Sequence, residues 1–220
     1  NQANIALANL NIRAERLPNS LLLVSPLLVR ESVASSGIED INTTVYEVFE
    51  AEILEEKRTG AAKEVLHYKD AMMEGLETVK KKGFLSTNDF VHIQSLIEPT
   101  KRGVRKLEVK IMNHSTGKVL YTPPTTEQVI RDLLQNLDEF INNTEDGLDP
   151  LVKMAVFHYQ FESIHPFLDG NGRVGRILMI LYLVMTGRLT FPVLYLSGYI
   201  EENRSEYYRL LREANEMNDF

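Results

Sequence analysis

Residues 165–176, His-Pro-Phe-Leu-Asp-Gly-Asn-Gly-Arg-Val-Gly-Arg, gather an imidazole, a carboxylate, two glycines around an asparagine, and two arginines. His165 can serve as a base, since an unperturbed imidazole titrates at about 6.5, close to working pH. Asp169 offers the hard oxygen ligand that Mg²⁺ prefers beside phosphate oxygens and water. Gly170 and Gly172 let backbone N–H groups approach an oxyanion with no side chain in the way. Asn171 adds an amide donor, and Arg173 can clamp a terminal phosphate with two parallel hydrogen bonds. Together these are the parts of a nucleotidyl or phosphoryl transfer: a base for the attacking hydroxyl, a metal ligand, phosphate donors and in-line positioning. The plain alternative is a Gly-rich turn whose arginines pair with surface carboxylates.

The elements around the loop sharpen the choice. The apolar run from Ile177 to Met185 reads as a buried helix that begins at Gly172 or Arg173. A helix start carries partial positive charge and free N–H groups, so it suits anions. Arg173 and Arg176 nevertheless lie in its first turn, three apart and on one face. Cations set against a dipole call for an anionic partner, most simply a polyphosphate.

The whole chain confines such a site to one place. Its 220 residues, 44% apolar, suit one domain with an appended segment. A net charge of −7 argues against a general nucleic-acid surface, so anion binding must be local. The lack of cysteine excludes disulfides, thiolate chemistry and cysteine zinc sites, and suits a reducing compartment. No signal peptide is visible, and the longest apolar run is about half the ~20 residues a spanning helix needs. A soluble, cytoplasmic protein is expected, and the non-Met start and helical end suggest a fragment.

Helical signals dominate. Helices are expected over about 26–39, from Asn42 or Thr43 to Lys57, from Ala61 to Lys82 with Gly83 as the stop, and from Ser86 or Thr87 to Pro99. Val104 to Thr122 reads as a β-hairpin turning at His114-Ser115-Thr116-Gly117, with Arg105 to Asn113 an exposed strand. Thr125 and Gln128 form a capping box for a helix to Asn142, and Asp149-Pro150 opens one through Glu162. Two more helices follow the motif helix, split near Asn203. His158 reads as a core residue, and its pairing with His165 as a metal site is weak.

The motif resembles the signature of the Fic family, HxFx(D/E)GNGRxxR, at every fixed position. Gln160-Phe161-Glu162 ahead of it, Tyr195-Leu196-Ser197 and Tyr207-Tyr208 after it, and Tyr121-Thr122-Pro123-Pro124 at the hairpin end extend the likeness. The resemblance implies an all-α, Fic-type helical bundle with one β-hairpin flap, arranged as an N-terminal helical region (1–83) and a Fic domain (84–220). It implies AMPylation: transfer of AMP from ATP to a Ser, Thr or Tyr hydroxyl of a target protein or of the chain itself, releasing pyrophosphate. It makes His165 the catalytic base and Asp169 the Mg²⁺ ligand. It makes Gly170, Asn171 and Gly172 the hole for the α-phosphate, Arg173 the contact to the outer phosphates and Arg176 that to the γ-phosphate. Asn203, and more weakly Asn215, match positions near the adenine pocket. Gly172, where some relatives carry lysine, argues against phosphorylation.

Ser35-Ser36-Gly37-Ile38-Glu39 resembles the family's inhibitory motif, (S/T)xxxE(G/N), on a helix over about 26–40. Ser35 and Glu39 share a face, and Glu39 could pair with Arg176, the arginine a γ-phosphate needs. Asp40 departs from the usual Gly or Asn, which suit a left-handed helix end better. The flap, about 105–122, is expected to take an extended target segment as an added strand. A homo-oligomer is an expectation of the resemblance alone. A nucleotide-binding regulatory module with vestigial catalysis, or an enzyme that removes AMP, are the competing readings.

Overall fold

Capping chemistry sets most of the helix starts. In the computed structural model, which describes residues 1–17, 21–112 and 117–217, Thr44 and Glu47 form a reciprocal capping box at the head of α3 (Val45–Ile53). Ser86 and Asp89 do the same for α5 (Thr87–Ile97). Between them runs α4 (Gly60–Lys82), which ends at Gly83 in the left-handed conformation. Asp149 accepts from the Leu151 N–H at 2.9 Å and Pro150 takes the first position of α7 (Pro150–Ile164). The motif helix α8 (Asn171–Met185) follows, then α9 (Leu196–Glu202) and α10 (Arg204–Met217).

Several boundaries differ from expectation. A helix not anticipated from the polar N-terminus, α1 (Gln2–Glu15), sends Leu7 and Ala14 into the core. The next, α2 (Leu21–Gly37), starts ahead of Pro26 rather than at it, because burial of Val24 and Leu28 outweighs the one hydrogen bond that the proline removes. The expected helix to Lys57 breaks at extended Leu54 and resumes as a single 3₁₀ turn, Glu55–Lys57. Thr126, not Thr125, caps α6 (Glu127–Asn142), while Gln128 turns away to donate to Asp132 at 2.8 Å.

The fold is helical with one antiparallel hairpin among the described residues, β1 (Ile111–Met112) with β2 (Val119–Tyr121). That strand is far shorter than the expected Arg105–Asn113 run. Val104 instead bridges Phe167, and Arg105 is buried at 1% exposure, so neither belongs to an open edge. Asn113, His114, Ser115 and Thr116 of the expected strand end and turn lie outside the described residues.

α8 is the axle, with α4, α5 and α7 packed around it. Ile177, Leu178 and Leu181 from α8 meet Met72 and Leu76 from α4, Phe90 and Ile93 from α5, and Phe157 and Phe161 from α7 in one core. Gly75 lets α4 come close, since a Cβ there would stand 2.6 Å from Leu181 Cδ1. That core also takes in Val24, Leu28 and Ile38, so it draws on both sides of Gly83. No described helix is long and apolar enough to cross a membrane.

Candidate active site

The site lies where α7 stops and α8 starts. His165 ends α7 in the left-handed region (φ 47°, ψ 59°), which is uncommon for a residue with a side chain. Gly170, at φ 81°, then caps α8 in a conformation that glycine adopts without strain. Asn171, the first residue of α8, is buried. Its Oδ1 accepts from the Phe167 N–H and its Nδ2 donates to the Phe167 carbonyl, both at 2.9 Å. The Asn171 side chain thereby shapes the loop with its oxygen and one of its two amide N–H donors. What remains for an anion is backbone. The first intrahelical bond runs from Val174 N to Gly170 O at 2.9 Å, so the N–H groups of Asn171, Gly172 and Arg173 precede the ladder.

Both arginines are 1% exposed, and acidic side chains fill their forks. Glu39 bridges them, with Oε2 accepting from Arg173 Nε at 2.9 Å and Oε1 from Arg176 Nη2 at 2.8 Å. Ser35 completes the grip: its hydroxyl accepts from Arg176 Nε and its carbonyl from Arg176 Nη2, each at 2.8 Å. The expected Glu39–Arg176 pair is thus present and extends to Arg173. Gly172 makes room for it, because a Cβ there would lie 2.4 Å from Glu39 Oε1. Asp40 does take the left-handed conformation (φ 62°), and its carboxylate turns out to Arg204 at 3.1 Å.

Sequence reading missed the rest of the acidic ring. Glu98, the residue that ends α5, accepts from Arg173 Nη2 at 2.7 Å, and Glu64 stands 3.8 Å from Nη1. Asp169 Oδ1 lies 3.4 Å from the same Nη2, while its Oδ2 pairs with Lys101. Glu98, Glu64 and Lys101 come from positions far away in the chain, and no local spacing marks them. Partial burial opposes the Asp169 charge, but Lys101 and then Arg173 hold its carboxyl below the usual range. Burial also disfavours the Arg176 cation, yet Glu39, with Tyr207, Tyr68 and Glu162, keeps its pKa above the ordinary value.

His165 is shifted the other way. Burial, then the nearby Arg105 cation, pushes its pKa down to about 4 against the pull of Glu39 and Asp169, so the ring is neutral. Its Nδ1 is buried, and the Glu162 backbone, more than Glu39 or Asp169, pulls its pKa back upward. Behind it, His158 bonds Tyr207 at 2.7 Å and is pushed down to about 3 by burial and Arg176, as befits a core histidine. Burial raises Glu162 to about 7. Asn203 caps the α9 end, donating to the Tyr199 carbonyl at 2.9 Å, and Asn215 on α10 accepts from Tyr159 and Ser163. Among the described residues no group of three or more His, Asp or Glu is arranged to hold a metal. Asp169 is a single hard ligand, the kind that Mg²⁺ takes alongside phosphates.

Two family signatures cover most of the sequence: Fic/DOC family N-terminal over residues 1–77 and Fic/DOC family over residues 84–183. The chain belongs to the Fic/DOC family. It is 36% identical over 131 residues to the protein adenylyltransferase fic-1 of Caenorhabditis briggsae, covering 60% of this chain and 24% of that protein. It is also 36% identical over 115 residues to a probable protein adenylyltransferase of Aquifex aeolicus, covering 52% and 31%. The chain thus spans less than a third of the length of these curated relatives. A Fic family protein from Desulfovibrio desulfuricans shares the fold at a TM-score of 0.77 and 25% identity, over 98% of this chain and 66% of that one. A Fic-domain signalling protein from Bacteroides thetaiotaomicron does so at 0.72 and 19%, over 94% and 80%. In this Fic/DOC chain the motif helix, the hairpin and the arginine-binding glutamate all meet at one loop.

Proposed function

We propose that this chain is a protein adenylyltransferase held back by Glu39. It transfers AMP from ATP to a hydroxyl of a target protein or of itself. The observation that carries the reading is the buried Arg173–Arg176 pair, filled by the Glu39 carboxylate at the start of α8 beside the neutral His165. Two buried guanidinium groups bridged by one carboxylate form a cradle that an ATP phosphate also fits. While Glu39 holds them, the γ-phosphate has no seat and the α-phosphate no in-line pose.

With Glu39 displaced, the outer phosphates bind Arg173 and Arg176, and the α-phosphate meets the N–H groups of Asn171, Gly172 and Arg173. The acceptor hydroxyl attacks the α-phosphorus as His165 takes its proton. The bond to the bridging oxygen breaks and pyrophosphate leaves. Those N–H groups are fixed beforehand and face the charge that develops on the α-phosphate. Asp169 fits as the Mg²⁺ ligand once Lys101 releases it. The ion supplies neutralising charge to the phosphates. Asn203 borders the adenine. The target strand lies along the flap, about 105–122, where Leu107, Met112, Val119 and Leu120 are exposed. Self-association and a cytoplasmic setting complete this reading, the latter in keeping with the lack of cysteine.

The test uses α-labelled ATP with Mg²⁺. Glu39→Gly should raise protein labelling by at least about tenfold, the factor that roughly 1.4 kcal/mol of lost ground-state pairing corresponds to. His165→Ala in that background should abolish it, and γ-labelled ATP should leave the protein unlabelled. Equal labelling of Glu39→Gly and its His165→Ala derivative would sink the proposal.

A further inference from the structure

Arg105 is the largest fully buried side chain outside the phosphate cradle. Among the described residues no carboxylate pairs with it. Its whole fork goes to backbone carbonyls. Nε donates to His165 O at 2.7 Å, and Nη2 donates to Pro124 O at 2.6 Å and to Ile164 O at 3.4 Å. Nη1 donates to Leu107 O at 2.9 Å. Its own N–H donates to Pro166 O at 2.9 Å, and Val104 bridges Phe167. A buried cation without a counter-ion is costly, and a packed apolar residue would fill the space at lower free energy. The cost needs a reason.

The four carbonyls supply one. Leu107 precedes β1 and Pro124 follows β2, so both legs of the hairpin end on this guanidinium. Ile164 and His165 are the last turn of α7 and the base itself. We propose that Arg105 is a positioning residue that locks the target-docking hairpin and the His165 backbone into one rigid unit. Only a planar fork with five fixed donors can hold four carbonyls of two separate segments in register; a lysine cannot. His165 needs such a restraint, because its left-handed backbone is held against its own preference. Besides Arg105, the charges acting on the imidazole are Glu39 and Asp169, and neither touches the hairpin. Hydroxyl and base are then held at a common distance whatever the target's sequence, since the Arg105 fork grips only main-chain carbonyls of this chain.

This inference rests on reading His165 as the base of AMP transfer, and the experiment separates the two. In the Glu39→Gly chain, Arg105→Lys keeps the charge and loses the fork. Single-turnover self-modification should fall at least about tenfold while ATP affinity by calorimetry stays within about twofold, the signature of lost positioning rather than lost binding. An unchanged rate, or rate and affinity falling together with the melting temperature, overturns it. If the Glu39→Gly parent transfers nothing, or its His165→Ala derivative matches it, the enzymatic reading fails, and hydrogen exchange then decides the role of Arg105. In the unmodified chain the Arg105 Nε proton should exchange slowly. Arg105→Lys should speed exchange at 104–107 and 164–167 and leave the α4 amides unchanged. A fast-exchanging Nε proton, or acceleration spread over the whole chain, refutes the coupling; the first readout holds even where the variant does not fold.

Discussion

Glu162 and His158 show how one buried pocket carries opposite proton preferences. Gly175 leaves the space they occupy: a Cβ there would stand 2.5 Å from Glu162 Oε1 and 3.1 Å from the His158 ring. Burial raises Glu162 to about 7 from 4.5 and lowers His158 to about 3 from 6.5, so both are neutral in the folded chain near pH 6. For a carboxyl whose folded pKa is raised, the unfolded chain loses its proton first, and stability falls as pH climbs from about 4.5 to 7. Relative to Glu162→Gln, the native chain should therefore lose about 1–3 kcal/mol across that window, read from urea midpoints at several pH values. A pH-independent difference would mean that Glu162 is ionised in place. The catalytic motif was legible in the sequence because its residues are contiguous. Glu98, Lys101 and Arg105 were not, because their meaning depends on which distant loop they touch. The loop-bracing role of Asn171 was not legible either, because it depends on the fold bringing Phe167 against its side chain.

Helices announced themselves through caps and stops, and Ser86, Asp149 and Gly83 act as expected, whereas α3 is capped by Thr44 rather than by the expected Asn42 or Thr43. The errors fell where two caps compete, as at Thr125 and Thr126, or where packing overrides a breaker, as at Pro26. The hairpin was overextended because an apolar alternation does not reveal that Arg105 turns inward. Gly75 looked like nothing in particular, yet it sets the approach of α4 to the motif helix. Gly75→Ala puts a methyl against Leu181 Cδ1 at 2.6 Å, so one of the two helices must shift. The expected loss is about 1–3 kcal/mol, seen as a lower denaturant midpoint. Unchanged stability would show that Leu181 moves aside freely.

The main core spans the N-terminal helices and the rest, although a smaller cluster of Val29, Val48, Ala51, Ala62, Val65 and Leu66 stays within α2, α3 and α4. Leu7, Val24, Leu28 and Ile38 lie in the same apolar cluster as Phe161 and Ile177, and α2 packs on both α4 and α9. Denaturation should accordingly be a single transition, with far-UV dichroism and the near-UV signal of the tyrosines coinciding, since the chain has no tryptophan. An early transition in one signal would separate the N-terminal helices from the remainder. Because Asn171 already braces Phe167 from both sides, the turn ahead of α8 is cast before any nucleotide arrives. Under the proposed function, loading is an exchange of guests at two arginines, carboxylate out and phosphate in. Such a device would answer to competing oxyanions far more than to ionic strength, since both arginines are buried away from bulk salt.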